Sequence, residues 1–436
     1  MTTKKVLIIT YYWPPSGGVA VQRVLKFCKY LRDFGWEPVI YTVSNGEFPE
    51  IDNSLISEIP PGMEIVKTRI WEPYSIYKLF TGKKSKAAIH RSTMRTGNKV
   101  SMAETISVWI RGNLFIPDTR CFWIRPSISF LNKKLENEKF DAIISTGPPH
   151  SNHLIARKLS KKKEIPWLAD FRDPWTTMDY YQDMRLTRWA DNRHHALELN
   201  VLKSASVTVV VGRQMKQEFD QKGARRVEII TNGFDESDFE VSPNVTLDSE
   251  FSIVHVGSFL KRRNPEMLWK AIARLKKENH PIVHHLKIKL IGRVEQTILD
   301  SIVRNGLTEF LIQIPFVPHN EVGKYLQSAH VLLLPIDNFE GSKWVLTGKL
   351  FEYLASRRPV LCIGPTDGDA AKLLAETGVG ETFGFEDKQG IIDFLVRHYN
   401  TFLSGKREVP DEGKIKNYSR RELTRQLSKL LDEISA

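Results

Sequence analysis

Short apolar runs alternate with stretches of helical periodicity along almost the whole chain. In the N-terminal half, apolar runs at residues 6–10 and 38–43 flank a turn-rich loop at 11–18 and an amphipathic stretch at 21–31. Further strands, each with a helical stretch nearby, are predicted at 142–146, 167–170, 207–211 and 227–230. This alternation is typical of α/β proteins with parallel sheets.

The alternation restarts after a polar, turn-rich stretch at residues 241–250, which we interpret as a domain linker. The strands predicted beyond it are 252–256, 286–291, 312–316, 331–335 and 360–363. Leucines at helical spacing predict a C-terminal helix at about 418–436. Because 436 residues exceed what one ordinary core accommodates, we expect two tandem α/β domains, at 1–242 and 250–412.

Composition narrows the class of protein. A hydrophobic fraction of 41% and a charged fraction of 26% are those of a globular protein, and no window is apolar enough to span a membrane. Cys28, Cys121 and Cys362 are scattered without metal-ligand spacing, so we expect reduced thiols in a cytoplasmic protein. These features argue against a disulfide scaffold, a zinc module and an integral membrane protein.

The net charge of +12 is concentrated in one segment. Residues 65–100 contain nine basic residues and a single acid, Glu72. Such a patch attracts phosphates of lipids or nucleic acids, although a solvated loop is the simpler interpretation. Residues 70–135 also fit the alternation worst, and we predict an insertion at about 65–135. Its apolar stretch at 106–116 is either a surface that docks on a bilayer or an ordinary buried helix.

Ligands of open α/β sheets bind at the carboxyl ends of the strands, so the loops there are the first candidates for a site. Gly17 and Gly18 precede a helix, where the backbone can approach an anion closely. His153, at a later strand-to-helix junction, is a candidate hydrogen-bond donor to a phosphate or a sugar hydroxyl. Arg172 and Asp173 follow a third strand. Each feature also has a structural interpretation, as a tight turn, a helix cap or an ion pair.

The second half carries a complementary set. Lys261 and Arg263 lie in a loop between a strand and a helix, which is the position and charge expected for holding a diphosphate. Arg293 lies at a similar strand end beside a glycine. Glu352 is predicted one turn inside a helix, where a carboxylate can accept both hydroxyls of a ribose. The alternative for Glu352 is a surface carboxylate that offsets the helix dipole.

Taken together, these loops resemble those of the GT-B-fold glycosyltransferases of the large retaining family 4, in a bacterial branch that acts in surface-polysaccharide synthesis. The resemblance covers essentially the whole chain. It is carried in the first half by YYWPPSGG, IPDTRCFW, STGPPHSNHL, ADFRDPW and TNGFD, and in the second by HVGSFLKRRNP, LIGR, FVPHNEV, VLLLPI and TGKLFEYLASRRPVL. Single strings of this kind are weak signals, whereas the ordered set alternating with predicted strands is specific.

The resemblance implies two Rossmann-like domains with a nucleotide sugar in the cleft between them, and a final helix that returns to the first domain. Matched by position, Gly17 and Gly18 lie near the donor diphosphate, Arg263 contacts it and Glu352 holds the ribose. His153 is a looser match to a histidine near the transferred sugar.

Two positions depart from the family pattern. Trp344 occupies the place of a common glutamate, and Ser258 that of a common arginine. The candidates to replace the arginine's contact with the diphosphate are Lys349, Lys261 and Arg262.

Arg172 and Asp173 match an Arg-Asp pair of the branch, which we interpret as shaping the active site.

The resemblance implies a retaining glycosyltransferase that uses a nucleotide-diphosphate sugar, without a metal ion or other cofactor. The sugar donor cannot be transferred from the family, because of the two departures, and we expect a UDP-sugar rather than a GDP-sugar. The expected acceptor is a glycan or a polyprenyl-diphosphate-linked glycan at the inner face of the cytoplasmic membrane, with residues 65–116 facing the anionic lipid. Two other classes stay open, an enzyme like UDP-GlcNAc 2-epimerase and a non-catalytic nucleotide-sugar-binding protein. No nucleic-acid partner is expected, because the basic segment lacks a recognisable reading motif.

Overall fold

The computed structural model describes residues 3–72, 102–178, 181–239, 246–339, 341–405 and 410–436. The chain forms two compact units, residues 1–231 with 423–436 and residues 232–422. Their boundary at Thr231–Asn232 comes earlier than the boundary predicted at residue 242. Part of the predicted linker, residues 241–245, lies outside the described residues.

The first unit is built on a sheet of seven strands. They are β1 (Lys4–Ile9), β2 (Trp36–Val43), β3 (Ile65–Thr68), β4 (Ala142–Gly147), β5 (Trp167–Phe171), β6 (Val207–Val210) and β7 (Val227–Ile229). Their order is β3-β2-β1-β4-β5-β6-β7, and every neighbouring pair is parallel. The chain therefore builds outward in both directions from β1 and β4. All residues of β4, β5 and β6 are buried, as expected of a parallel sheet with both faces covered.

Helices cover both faces of this sheet. They are α1 (Val19–Leu31), α2 (Met102–Leu114), α3 (Cys121–Asn137), α4 (Ser151–Lys163), α5 (Arg188–Ser204) and α6 (Arg213–Gln221), with 3-10 turns at Arg32–Phe34, Asn53–Glu58 and Gln182–Met184. Leu7 and Ile9 of β1 belong to one core, and Val6 and Ile8 to the core on the other face. This division follows from the two-residue period of a strand.

The C-terminal helix (Arg420–Ser435) contributes to the first unit from Leu423 onward. Leu423, Leu427 and Leu431 are buried and belong to the same core as the apolar face of α1. Their spacing of four residues aligns them along one side of the helix. The leucine pattern that predicted this helix is therefore also the pattern that buries it.

The second unit contains a sheet of six strands. They are β8 (Phe251–Val256), β9 (Leu286–Ile291), β10 (Leu311–Ile314), β11 (Val331–Pro335), β12 (Val360–Ile363) and β13 (Gly380–Phe383). The order is β10-β9-β8-β11-β12-β13, again with parallel pairs throughout. The strand order reverses between β8 and β11, as it does between β1 and β4 in the first unit.

The helices of the second unit are α7 (Glu266–Lys277), α8 (Gln296–Arg304), α9 (His319–Ser328), α10 (Gly348–Ser356), α11 (Asp369–Thr377), α12 (Lys388–Ser404) and α13 (Glu412–Lys416). The 3-10 turns are Glu236–Phe239, Lys261–Arg263, Pro281–His284, Thr308–Phe310 and Ser342–Trp344. All six residues of β8 are buried, whereas Lys287 and Lys289 alternate with buried residues in β9. The central strand is thus covered on both faces, and β9 on one face more completely than on the other.

The two parallel-sheet Rossmann-like domains confirm the predicted fold class. The structure differs from the sequence interpretation in the segment predicted as an insertion, because residues 65–68 form the edge strand β3. Residues 73–101, which include most of the basic segment, lie outside the described residues. The described part continues with α2, on which Ile106, Ile110 and Leu114 are exposed at intervals of four residues.

Candidate active site

In open parallel sheets, ligands bind beyond the carboxyl ends of the strands, at the point where the strand order reverses. In the first unit this point lies after β1 and β4, and in the second after β8 and β11. The loops that carry most of the predicted site residues follow these strands or their immediate neighbours.

His153 lies in the first turn of α4 and is completely buried. Its Nδ1 is 2.8 Å from the hydroxyl of Ser145, and its ring stacks on Phe171 with the centroids 4.3 Å apart. Its Nε2 is buried without a hydrogen-bond partner. A Cβ atom on Gly147 would lie 2.4 Å from that Nε2, so the ring occupies space that only a glycine at this position leaves open.

The two histidines of this loop are held in their neutral forms. Burial lowers the pKa of His153 to about 3, and Arg172 adds to the effect while Asp170 opposes it. Burial likewise lowers the pKa of His150 well below its usual range. The ring of His150 is stacked on Trp175 with the centroids 4.4 Å apart. These side chains can donate or accept hydrogen bonds at neutral pH, but they contribute no positive charge.

Arg172 and Asp173 follow β5 directly. The backbone N–H and the Nε of Arg172 donate to the carbonyl of Gly147 at 3.0 and 3.2 Å, and its Nη2 donates to the carbonyl of Pro148. Burial lowers the pKa of Arg172, and none of the described residues forms an ion pair with it. The half-buried carboxylate of Asp173 makes no hydrogen bond within the described part of the chain. Arg172 therefore ties the end of β5 to the loop after β4.

A buried ion pair lies just behind this edge. Arg23 of α1 is fully buried and donates from Nη2 to Asp170 Oδ1 at 2.8 Å, and also to the carbonyls of Ile230 and Thr231. Asp170 accepts a further bond from Thr146 at 2.9 Å. Burial opposes ionisation of Asp170, but Arg23 outweighs it, and the pKa of Asp170 is lowered.

The two glycines of the loop after β1 are required for different reasons. Gly18 precedes α1 with a φ of 93°, which favours glycine, and no atom within 4 Å would meet a Cβ there. At Gly17, a Cβ would lie 3.1 Å from the side chain of Glu50. The requirement for glycine at 17 is therefore one of packing, whereas the requirement at 18 is one of backbone conformation.

The string IPDTRCFW has a structural role that sequence reasoning did not identify. Asp118 accepts hydrogen bonds from the backbone N–H and the hydroxyl of Ser151, at 2.9 and 2.8 Å, and so caps α4. The guanidinium of Arg120 lies 4.6 Å from the ring centroid of Tyr11 and 3.6 Å from Glu72. Glu72, the only acid of the basic segment, therefore lies in a cluster with Tyr11 and Arg120, where burial raises the pKa of the Glu72 carboxyl.

In the second unit, Lys349 lies against the loop after β8. Gly257 has a φ of 99°, and a Cβ there would lie 2.6 Å from Cε of Lys349. The Lys349 ammonium donates to the carbonyl of Ser258 at 3.2 Å. Gly292, after β9, packs so closely that a Cβ would lie 3.2 Å from the carbonyl of Gly257. The glycines thus allow a lysine and two loops to meet at one strand end.

Arg263 is fixed at the same edge by Asp337, which follows β11. Its Nε donates to Asp337 Oδ1 at 2.9 Å, and Arg262 Nη2 lies 3.9 Å from the other carboxylate oxygen. Burial lowers the pKa of Lys349 to about 8, with Arg263 adding to the effect and Glu352 and Asp337 opposing it. These four side chains therefore interact electrostatically as one cluster.

The remaining predicted residues are less closely tied to this cluster. Lys261 is exposed, and its backbone N–H rather than its side chain bonds Glu295 at 2.7 Å. Arg293 is exposed, and its side chain makes no hydrogen bond to the residues described. Glu352 is half-buried on α10, next to the fully buried Tyr353. Sequence reasoning missed Asp337, because nothing in its local pattern shows that it meets Arg263.

Two kinds of feature are absent from the residues that the structure describes. Within the ranges that the structure describes, no helix is long and apolar enough to cross a bilayer. No group of three or more histidine, cysteine or acidic side chains in those ranges is arranged to hold a metal ion.

Residues 17–233 match the family model of the glycosyl transferase 4-like domain. No curated protein matches the sequence of the chain. Among solved structures, sucrose-phosphate synthase from Thermosynechococcus elongatus is similar at 13% identity with a TM-score of 0.63, over 99% of this chain and 98% of that one. HepE of Anabaena in complex with UDP-glucose is similar at 13% identity with a TM-score of 0.57, over 98% and 99%.

A variant of S. aureus TarM in complex with fondaparinux, α-GlcNAc-glycerol and UDP is similar at 12% identity with a TM-score of 0.58, over 98% of this chain and 100% of that one. Identities this low establish a common fold only, whereas the family match rests on the sequence itself. The chain therefore matches the model of the glycosyl transferase 4-like domain over residues 17–233 and has the fold of the GT-B glycosyltransferases.

Proposed function

We propose that this protein is a retaining glycosyltransferase that takes a sugar from a UDP-sugar and places it on a glycan or a polyprenyl-diphosphate-linked acceptor. The observation that carries the proposal is the cluster of Arg263 and Lys349 at the carboxyl edge of the second sheet, where the strand order reverses. Two cations at such an edge suit a diphosphate. The family match over the first half of the chain supports sugar transfer.

In this proposal the second unit binds the nucleotide. Lys349 reaches the carbonyl of Ser258, the position at which the family commonly has an arginine, so it can supply the missing diphosphate contact. Arg263 and Lys261 complete the cationic loop, Glu352 accepts the ribose hydroxyls and Arg293 lies beside the nucleoside. UDP is favoured as the nucleotide because HepE is described with UDP-glucose and TarM with UDP.

The first unit receives the sugar and the acceptor in this scheme. Gly17 and Gly18 face the diphosphate, and His153 donates a hydrogen bond from a neutral ring. Arg172 and Asp173 shape the acceptor side. Catalysis is then chiefly charge stabilisation, because the cations of the second unit neutralise the departing diphosphate as the glycosidic bond breaks. The acceptor hydroxyl attacks the sugar from the face on which the diphosphate departs, and the departing phosphate oxygen takes the proton of that hydroxyl.

We further propose that the enzyme works in the cytoplasm, against the inner face of the membrane. The exposed row of Ile106, Ile110 and Leu114 on α2 supports this, together with the basic composition of the preceding segment. Flotation with vesicles of neutral and anionic phospholipid tests it. Neutralising Lys83, Lys84 and Lys86 together should abolish flotation with the anionic vesicles, and unchanged flotation would remove the proposal.

The donor site is tested by calorimetric titration with UDP, GDP and NAD. The Glu352→Gln variant should bind UDP at least tenfold more weakly than the wild type, a loss of about 1.4 kcal/mol. Glu386→Gln is a matched control, because Glu386 is an exposed glutamate of the same unit whose carboxylate makes no hydrogen bond or ion pair with the described residues. If neither UDP nor GDP binds, or if both variants bind as the wild type does, the site in the second unit is refuted.

Turnover separates the competing classes. Release of UDP that depends on an added acceptor supports the transferase. Conversion of UDP-GlcNAc without an acceptor would replace it with an epimerase-like enzyme. UDP-sugar binding without turnover of any donor would replace it with a non-catalytic binding protein.

A further inference from the structure

A chain of three buried polar groups runs beneath the carboxyl edge of the first sheet. The indole Nε1 of Trp167, on β5, donates to Ser145 Oγ on β4 at 2.8 Å. Ser145 Oγ in turn lies 2.8 Å from Nδ1 of His153 on α4. All three residues are completely buried, so water cannot replace any partner in this chain. Ser145 is the first residue of the STGPPHSNHL string, but the sequence analysis assigned no role to its hydroxyl or to Trp167.

The donors and acceptors of these three side chains determine which tautomer of His153 leaves the fewest groups unpaired. An indole nitrogen can only donate, so Ser145 Oγ is the acceptor of the first bond. The hydroxyl hydrogen then needs an acceptor, and His153 Nδ1 is its only partner among the described residues. If Nδ1 carried the proton instead, both the hydroxyl hydrogen and the Nε2 lone pair would be left unpaired. The arrangement with fewer orphaned groups places the ring proton on Nε2.

The rest of the pocket holds the ring in one place. Phe171 stacks on one face of it, and Nε2 occupies the space that a side chain at position 147 would fill. Nε2 is buried and has no partner, which for a polar atom in a folded interior is an exception that calls for an explanation. A donor kept without an acceptor at a strand end suits a substrate oxygen that arrives later.

We propose that Ser145 and Trp167 are positioning residues that keep the proton of His153 on Nε2, so that this nitrogen donates a hydrogen bond to an oxygen of the nucleotide-sugar substrate. The inference rests on the proposed function for the identity of the substrate. The hydrogen-bond relay, which is the series from Trp167 through Ser145 to His153, does not depend on that function, because it is present in the free protein. The relay presents a neutral donor, so it can orient or polarise an oxygen without adding charge to the first unit.

Nitrogen-15 NMR of histidine-labelled protein tests the relay directly, with the His153 signals assigned by their loss in His153→Gln. We expect a protonated Nε2 and an unprotonated, hydrogen-bonded Nδ1 in the wild type, unchanged between pH 6 and 8. In Ser145→Ala, the Nδ1 signal should move toward that of an unbonded nitrogen. Thr208→Val is the control, because Thr208 is a buried hydroxyl of the same sheet outside the relay. A proton on Nδ1 in the wild type would overturn the proposal.

Kinetics test the consequence for the reaction. Ser145→Ala should lower the turnover number of sugar transfer about tenfold, roughly the worth of one hydrogen bond, while the Kd for UDP changes less than twofold. Turnover equal to that of the wild type would refute the positioning role. Absence of UDP binding and of transfer in the wild type itself would refute the proposed function instead, and the NMR result would still decide the relay.

Discussion

Under the proposed function, we expect UDP binding to depend on pH near 8, because Lys349 changes its charge there. Burial lowers the pKa of this ammonium to about 8, and Arg263 adds to the effect. With that pKa, about nine-tenths of the molecules carry the charge at pH 7 and about one-tenth at pH 9. If the protonated form alone binds UDP, the apparent Kd rises about tenfold between these values, or about 1.4 kcal/mol.

The sign follows from the direction of the shift. Because the diphosphate favours the ammonium, its binding raises the pKa of Lys349, so binding takes up protons above pH 8 and takes up few below pH 7. Calorimetry in buffers of different ionisation enthalpy measures this uptake together with the Kd. The Lys349→Arg variant keeps its charge throughout, so its Kd for UDP should stay flat from pH 7 to 9.

Two results would refute this reasoning. A wild-type Kd for UDP that is constant from pH 7 to 9 would show that Lys349 either stays charged or lies away from the nucleotide. An equal pH dependence in wild type and Lys349→Arg would assign the titration to another group. The Lys349→Met variant separates the two explanations of a constant Kd, because the substitution weakens UDP binding at pH 7 only when the ammonium contacts the nucleotide.

Two further predictions concern the edge of the first sheet. Gly147→Ala should lower the free energy of unfolding by about 1–3 kcal/mol, because its Cβ would lie 2.4 Å from His153 Nε2. The control Gly384→Ala, whose Cβ would have no atom within 4 Å, should change this free energy by less than about 0.5 kcal/mol. Urea denaturation measures both variants, and equal values would contradict the close contact. Asp170→Asn should cost about 3–5 kcal/mol by leaving Arg23 buried without its counter-ion, and a loss below about 1 kcal/mol in the same assay would show that the pair is not needed.

Much of the fold is readable from the sequence, because its central strands are continuous apolar runs. The strands Leu286–Ile291, Val331–Pro335 and Val360–Ile363 were predicted with the bounds that the structure shows. The two strands that were missed lie at sheet edges. Ile65–Thr68 and Gly380–Phe383 contain no fully buried residue, so their sequences lack the apolar run on which the prediction depends.

The site is readable only in part, because its partners are distant in sequence. The loop containing Arg263 was recognised from its local charge and its position after a strand. Its partner Asp337 is 74 residues further along the chain, and no local pattern connects the two. In the same way, Ser145 and Trp167 read as ordinary strand residues, and only the register of the parallel sheet brings them to one histidine.

The two carboxyl edges differ in how they satisfy their charges, and this difference argues for a division of roles. In the first unit, Arg23 is matched by Asp170, and Arg172 bonds to backbone carbonyls. Its buried polar atoms without a hydrogen-bond partner include a ring nitrogen of each of the neutral histidines His150 and His153. In the second unit, burial and the neighbouring Arg263 lower the pKa of Lys349 to about 8, a state that an incoming anion relieves.

A diphosphate therefore gains most at the second edge, where it replaces repulsion between cations with attraction. Uncharged hydroxyls gain most at the first edge, where a neutral donor can bond them without the desolvation of a charge. Under the proposed function, this assigns the leaving group to the second unit and the sugar with its acceptor to the first. Charge reversal at Lys349 should accordingly weaken UDP binding, whereas loss of the Ser145 hydroxyl should slow transfer and leave UDP binding intact.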